Sequence, residues 1–126
     1  MAIKTLNDYN IANKKILVRA DLNVPIENGK ISDTSRLISA IPTIKTIQSL
    51  GGITILISHF GRPDGLYKEE LSLKQVVPEL ENLLNCPVKF SSELVGKNVI
   101  KKIDSLIGGE ILLLENTRFF VEGFFC

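Results

Sequence analysis

The sequence predicts an α/β fold: a three-layer α/β/α open parallel sheet, Rossmann-like and incomplete, with about four strands. Three observations predict it. Short apolar segments rich in β-branched residues recur along the chain. Between them lie stretches in which apolar residues return every three or four positions, the spacing of a helix face. Glycine pairs close two of those stretches, as helix ends commonly require.

The strand segments are residues 16–18, 53–57, 88–90 and 111–114. Apolar runs of this kind suit strands covered on both faces, and hence a parallel sheet. The first helical stretch follows Asp33 and carries Leu37, Ile38, Ile41, Ile44, Ile47 and Leu50, with Ser32 or Asp33 as N-cap and Gly51 and Gly52 as the stop. The second follows Ser72 with Leu73, Val76, Val77, Leu80, Leu83 and Leu84. The third carries Val95, Val99, Ile100, Ile103, Leu106 and Ile107 before Gly108 and Gly109. Pro42 and Pro78 fall inside the first and second stretches, where proline cannot donate the backbone bond, so a kink or a late start is expected at each. Strands alternating with helices imply right-handed crossovers.

At 126 residues, 44% hydrophobic and 23% charged, the chain has the profile of one globular domain able to bury a core. No repeat, low-complexity tract or linker suggests an internal boundary. Fifteen Lys and Arg against fourteen Asp and Glu leave a net charge of +1, which argues against a nucleic-acid or acidic-membrane partner. The start, MAIKTLNDYN, lacks the apolar core of a secretory signal, and no apolar run approaches the roughly 20 residues of a membrane helix, so a cytoplasmic location is expected. Cys86 and Cys126 form neither a close pair nor a cluster with His59, the single histidine, so neither a disulfide framework nor a metal site is expected; Cys86 reads as buried or neutral filler. Residues 119–126 hold four of the six phenylalanines, and a parallel sheet would continue there into another helix. The sequence therefore reads as truncated after the fourth strand, with an exposed apolar tail.

The residues able to carry chemistry stand just past the strand segments: Asp21 and Asn23 after the first, His59 and Arg62 after the second, Glu115, Asn116 and Arg118 after the fourth. Arg36 opens the first helical stretch and faces the same edge, the carboxyl edge where open parallel sheets bind ligands. Asp21 and Asn23 are two apart, so at an extended strand end both point the same way. Three arginines against one aspartate give that edge a local excess of positive charge. Planar guanidinium groups pair with phosphate or carboxylate, and Asp21 and Asn23 can hold a hydroxyl, so a phosphorylated hydroxy acid suits the set. Taken singly, Asp21 also reads as a turn former, His59 as structural and each arginine as solvated; convergence on one edge favours a site. Glu115 is expected to fix a loop, and Arg19 to lie off this edge.

The stretches VRADLNVP (18–25), SHFGRPDG (58–65) and LLLENTRF (112–119) resemble, in order and spacing, three segments that characterise phosphoglycerate kinases. The resemblance extends to Arg118 or Phe119 and is lost over the last residues. It implies that residues 1–126 are part of an amino-terminal substrate-binding domain, and that Asp21, Asn23, Arg36, His59, Arg62 and Arg118 bind 3-phosphoglycerate. It also implies that Arg36 stabilises the phosphoryl group in flight. A further family arginine has no counterpart in this sequence. Mg-ATP or Mg-ADP is implied for a carboxyl-terminal nucleotide domain, outside residues 1–126, of an enzyme expected to be a monomer. Within the chain Gly29-Lys30 is followed by Ile31 and Gly96-Lys97 by Asn98, so neither forms a phosphate-cradling G-x-x-x-x-G-K-[ST] loop. Two readings follow: a kinase of glycolysis by family, or a non-catalytic remnant binding a phosphorylated acid weakly or not at all. A receiver-like signalling domain would need an acceptor aspartate after the third strand, where Ser91 and Ser92 stand.

Overall fold

Each of the apolar segments forms a strand of one parallel sheet. The computed structural model describes residues 10–28, 30–58, 72–93 and 96–116. In chain order these form β1 (Lys15–Arg19), a hairpin of β2 (Ile26–Glu27) and β3 (Lys30–Ile31), α1 (Ser35–Ser49), β4 (Ile53–Ile57), a 3₁₀ turn (Leu73–Val76) running into α2 (Val77–Leu84), β5 (Lys89–Ser91), α3 (Lys97–Asp104) and β6 (Ile111–Leu114). The sheet order is β1-β4-β6-β5, with every pair parallel.

That order explains the layers. From β1 to β4, and from β4 past β6 to β5, the chain advances in one direction; from β5 to β6 it steps back. Right-handed crossovers then put α1 and α2 on one face and α3 on the other. The core divides accordingly. Leu56, Ile111 and Leu113 pack with Leu37, Ile44, Val76, Leu80 and Leu84 on the α1–α2 side. Ile53, Ile55, Leu112 and Leu114 pack with Val99 and Leu106 on the α3 side.

β6 is buried along its whole length, and β4 along all but its last residue, as continuous apolar runs suggest. β1 is not. It is paired only with β4 among the described residues, and Leu17, on the α3 side, is 66% exposed because α3 packs over β4 and β6 instead. Val18 and Ala20 keep the other face of β1 in the core.

Several local expectations need correction. Thr34, not Ser32 or Asp33, is the N-cap of α1 and makes no side-chain cap bond. Asp33 still serves the first turn, because its Oδ1 accepts from the Ser35 N–H at 2.9 Å and the Ser35 hydroxyl at 2.6 Å. α1 runs through Pro42 without a late start. Pro42 lies on the exposed face with Ile38, where water can take the bond its nitrogen cannot donate. At Pro78 the late start does occur: the 3₁₀ turn precedes α2, and the proline falls in the first turn. α3 stops at Asp104, short of Leu106 and Ile107. Leu106 is buried beyond the helix, whereas Ile100 and Ile107 are exposed rather than part of the packed stripe. Val95 and the tail lie outside the described residues. Cys86 is half-buried, and its Sγ accepts from Gln48 Nε2 at 3.4 Å.

The amino edge of the sheet is closed by backbone. Asn13 N–H donates to the Gly51 oxygen and Gly109 N–H to the Gly52 oxygen, each at 2.8 Å. A Cβ on Gly108 would stand 2.6 Å from the Gly51 oxygen, so glycine is needed for that close approach. The opposite, carboxyl edge is where the strands part.

Candidate functional site

Just past β1, the Ala20 N–H makes a ladder bond to the Ile57 oxygen at 3.1 Å, the last between the described residues. Beyond it the side chains alternate. Leu22 and Val24 point into the core and are buried, while Asp21 is exposed and Asn23 half-buried. The two-residue spacing thus sends both polar groups outward, as an extended chain requires.

Side chains pin this turn. Asp21 Oδ1 accepts from the Asn23 N–H at 3.1 Å. Arg36, in the first turn of α1, donates from Nη1 to the Asn23 main-chain oxygen at 2.5 Å, and the same nitrogen stands 3.6 Å from Asp21 Oδ1. The buried Ser58, next after β4, accepts the Leu22 N–H on its hydroxyl at 3.0 Å. A guanidinium carries five N–H donors, and among the described residues only Nη1 is engaged. Asn23, Asp33 and Arg36 line one cleft of about 460 Å³, and Asp21 and Arg36 line a neighbouring one of about 380 Å³. Arg36 is the wall common to both.

Arg19 also lines the second cleft, correcting the expectation that it lies away from this edge. The Ser35 hydroxyl and amide, with a smaller contribution from the Arg36 charge, hold the Asp33 carboxyl below the usual range, and the first cleft therefore presents a carboxylate beside Arg36.

At the end of β6, Glu115 is buried and accepts three hydrogen bonds: from the Ser72 hydroxyl at 2.6 Å, the Leu73 N–H at 2.9 Å and the Asn116 N–H at 2.8 Å. It ties the start of the 3₁₀ turn to the sheet, the loop-fixing role its position suggested. Asn116 is fully buried beside it.

Of the six expected ligand residues, Asp21, Asn23 and Arg36 are brought together; His59, Arg62 and Arg118 lie outside the described residues. Ser58 and Asp33 were given no part in the site by the sequence reasoning. The signal for Ser58 was present, since it is the polar residue that ends the apolar run of β4. Among the described residues no group of three or more His, Cys, Asp or Glu could hold a metal ion. No helix among them is long and apolar enough to cross a membrane.

This geometry fits what the chain resembles. The family model described as phosphoglycerate kinase matches residues 6–123, and so continues past Phe119, where the resemblance was expected to end. Phosphoglycerate kinase from Rhodospirillum centenum is 47% identical over 119 residues, which are 94% of this chain and 30% of that protein. The one from Clostridium tetani is 47% identical over 118 residues, 92% of this chain and 29% of that protein. Among solved structures, phosphoglycerate kinase from Pyrococcus horikoshii OT3 superposes with a TM-score of 0.85 at 32% identity, over 95% of this chain and 29% of that one. The Coxiella burnetii enzyme gives a TM-score of 0.78 at 32% identity, over 92% and 28% respectively. The chain therefore spans about 30% of the length of the curated relatives it matches. Matched by the family model over residues 6–123, 47% identical to curated members and superposing on solved ones, this chain belongs to the phosphoglycerate kinase family.

Proposed function

We propose that residues 1–126 are part of the substrate-binding domain of a phosphoglycerate kinase, which transfers a phosphoryl group reversibly between 1,3-bisphosphoglycerate with ADP and 3-phosphoglycerate with ATP in glycolysis. The observation that carries this reading is the joining of Asp21, Asn23 and Arg36 at the carboxyl edge, with Arg36 bonded to the main chain of Asn23. Asp21 and Asn23 hold the substrate hydroxyl. His59, Arg62 and Arg118, assigned through their motifs, supply further donors and charge for its phosphate and carboxylate. Arg36 faces the phosphoryl group in transit. A loose, metaphosphate-like transition state calls for positioning and positive charge rather than a covalent nucleophile, and the acceptor carboxylate is already ionised at neutral pH. Mg-ATP or Mg-ADP comes from a separate nucleotide domain, which supplies the phosphoryl donor or acceptor. The enzyme works as a cytoplasmic monomer without nucleic-acid or membrane partners.

The same residues support a second statement about this stretch alone. It has no phosphate-cradling loop between Met1 and Cys126, so by itself it binds the acid and turns nothing over. Aligning donor and acceptor provides much of the rate, and half a site cannot align them. The test is an NMR titration of the chain with 3-phosphoglycerate, alongside an assay with ATP and magnesium. Saturable shifts at residues 21–23 and 36, without turnover, are the expected result. Turnover abolished by Arg36→Ala would overturn the second statement, and absence of saturable shifts would overturn the first.

A further inference from the structure

We infer that Ser58 is a positioning residue for the ligand groups of Asp21 and Asn23, acting through the buried hydrogen bond from the Leu22 amide to its hydroxyl. The inference rests on the reading of this edge as an acid-binding site and adds a residue to it.

β1 and β4 pair by alternate amides, and Ala20 N–H to the Ile57 oxygen is the last main-chain bond of that series between the described residues. The next amide in the series by parity is Leu22, two residues on. Its N–H donates to a side chain, the Ser58 hydroxyl, at 3.0 Å. The Ser58 hydroxyl thus satisfies this amide and ties the chain beyond β1 to the end of β4. The hydroxyl sets where the chain beyond β1 lies.

Leu22 is the residue between the two proposed ligand holders. Its side chain is fully buried among Val24, Leu37 and Ile44, so the turn is anchored by packing below and by Ser58 at the backbone. Asp21 and Asn23 face outward from that anchor. Two other bonds of the turn, Asp21 to the Asn23 amide and Arg36 to the Asn23 oxygen, lie among exposed or half-buried groups, where water competes. Ser58 is 3% exposed, so its bond is shielded from water and able to fix the turn rigidly. A ligand-holding pair needs such support from residues that do not touch the ligand.

Ser58→Ala removes the acceptor, and Ser58→Thr keeps the hydroxyl with one added methyl. NMR titration of the 126-residue chain with 3-phosphoglycerate, well below the melting temperature, measures Kd for wild type, Ser58→Ala, Ser58→Thr and Asn23→Ala. Amide exchange at Leu22 is read in the same samples. Ser58→Ala is expected to speed Leu22 exchange and weaken binding about tenfold, with Ser58→Thr recovering most of both. In an Asn23→Ala background Ser58→Ala should cost clearly less, because the group it positions is gone. If Asn23→Ala weakens binding but Ser58→Ala speeds exchange and leaves Kd unchanged, Ser58 is merely structural and the inference is wrong. If neither variant changes Kd, the acid-site reading fails and the inference falls with it. If Ser58→Ala does not fold, Ser58→Cys replaces it: a thiol accepts poorly, and an unchanged Kd there also overturns the inference.

Discussion

Arg36 Nη1 is 2.5 Å from the main-chain oxygen of Asn23 and 3.6 Å from the Asp21 carboxylate, so one guanidinium ties both ends of the β1 exit turn to the start of α1. The side chains of Arg36 and Asp21 are each more than half exposed, so their ion pair adds little to folding, below about 1 kcal/mol. Their value lies in placing charge beside the clefts.

Arg36→Ala is therefore expected to leave stability nearly unchanged while reducing affinity for 3-phosphoglycerate. Losing one charge-assisted contact costs about 2 kcal/mol, roughly 30-fold in Kd. Lys101→Ala, on the exposed side of α3, removes the same charge far from the edge and should leave Kd within about twofold, as screening of a distant surface charge requires. Calorimetric or NMR titration with parallel urea melts separates the two effects. Equal losses at both positions would show that only net charge matters.

Glu115 presents the opposite case. Its buried carboxylate satisfies Ser72, Leu73 and Asn116 at once, so Glu115→Ala strands three donors. The expected cost is about 3 kcal/mol. Glu115→Gln should be milder, because Oε1 can go on accepting from Leu73 and Asn116 while the new amide donates to the Ser72 hydroxyl. Urea midpoints at constant m-value would check this order. Equal, small effects would mean that the 3₁₀ turn is held by its apolar contacts alone.

The strands were legible because β4 and β6 are apolar runs flanked by glycine or polar residues, a local signal that tertiary structure does not disturb. The exposure of Leu17 was not, since nothing local separates an edge strand from a central one. The β2–β3 hairpin is only two residues deep on each side, too short for an alternation signal; the Asn28-Gly29 dipeptide marks it in the sequence, and Asn28 is left-handed at φ 53°. The end of α3 was misplaced because Leu106 and Ile107 continue helical spacing past Asp104. At the site, the spacing of Asp21 and Asn23 reads directly from strand geometry. Ser58 became meaningful only when the fold brought it to Leu22, 36 residues away.

An exposed carboxyl, Asp33, and a half-buried one, Glu110, contribute to the acid side of the stability profile. The Ile107 amide and then the Lys89 ammonium hold Glu110 below its usual range, with bonds of 2.8 and 3.0 Å. Ser35 does the same for Asp33. Because both folded values lie below the unfolded ones, their contribution is complete above the unfolded values, about pH 4, and is lost as pH falls through the folded values. Stability should therefore decline below about pH 4, and Glu110→Gln should flatten part of that decline. Urea midpoints between pH 2.5 and 7, roughly spanning these titrations, test it. An unchanged slope in Glu110→Gln would remove Glu110 from the account.

Thr54 sits in the middle of β4, paired in register with Ile16 and Ile111, and is completely buried. Among the described residues its Oγ1 is a buried side-chain polar atom with no hydrogen-bond partner. Burying a hydroxyl without a partner costs about 1–3 kcal/mol in proteins. Valine has nearly the same shape, keeps the β-branch that suits a strand, and replaces the hydroxyl by a methyl group. Thr54→Val is therefore expected to stabilise the fold by about 1 kcal/mol, raising the melting temperature by about 4 °C for a chain of this size. Thr54→Ser makes the complementary change: it keeps the hydroxyl and deletes the methyl, so it should destabilise by about 1 kcal/mol through lost packing. Thr54 lies four residues before Ser58, toward the amino edge, so neither variant should alter affinity for 3-phosphoglycerate. Thermal and urea melts with a parallel titration decide the matter. A Thr54→Val protein less stable than wild type would mean that the hydroxyl finds a partner in solution, and a change in Kd would mean that packing within β4 reaches the carboxyl edge.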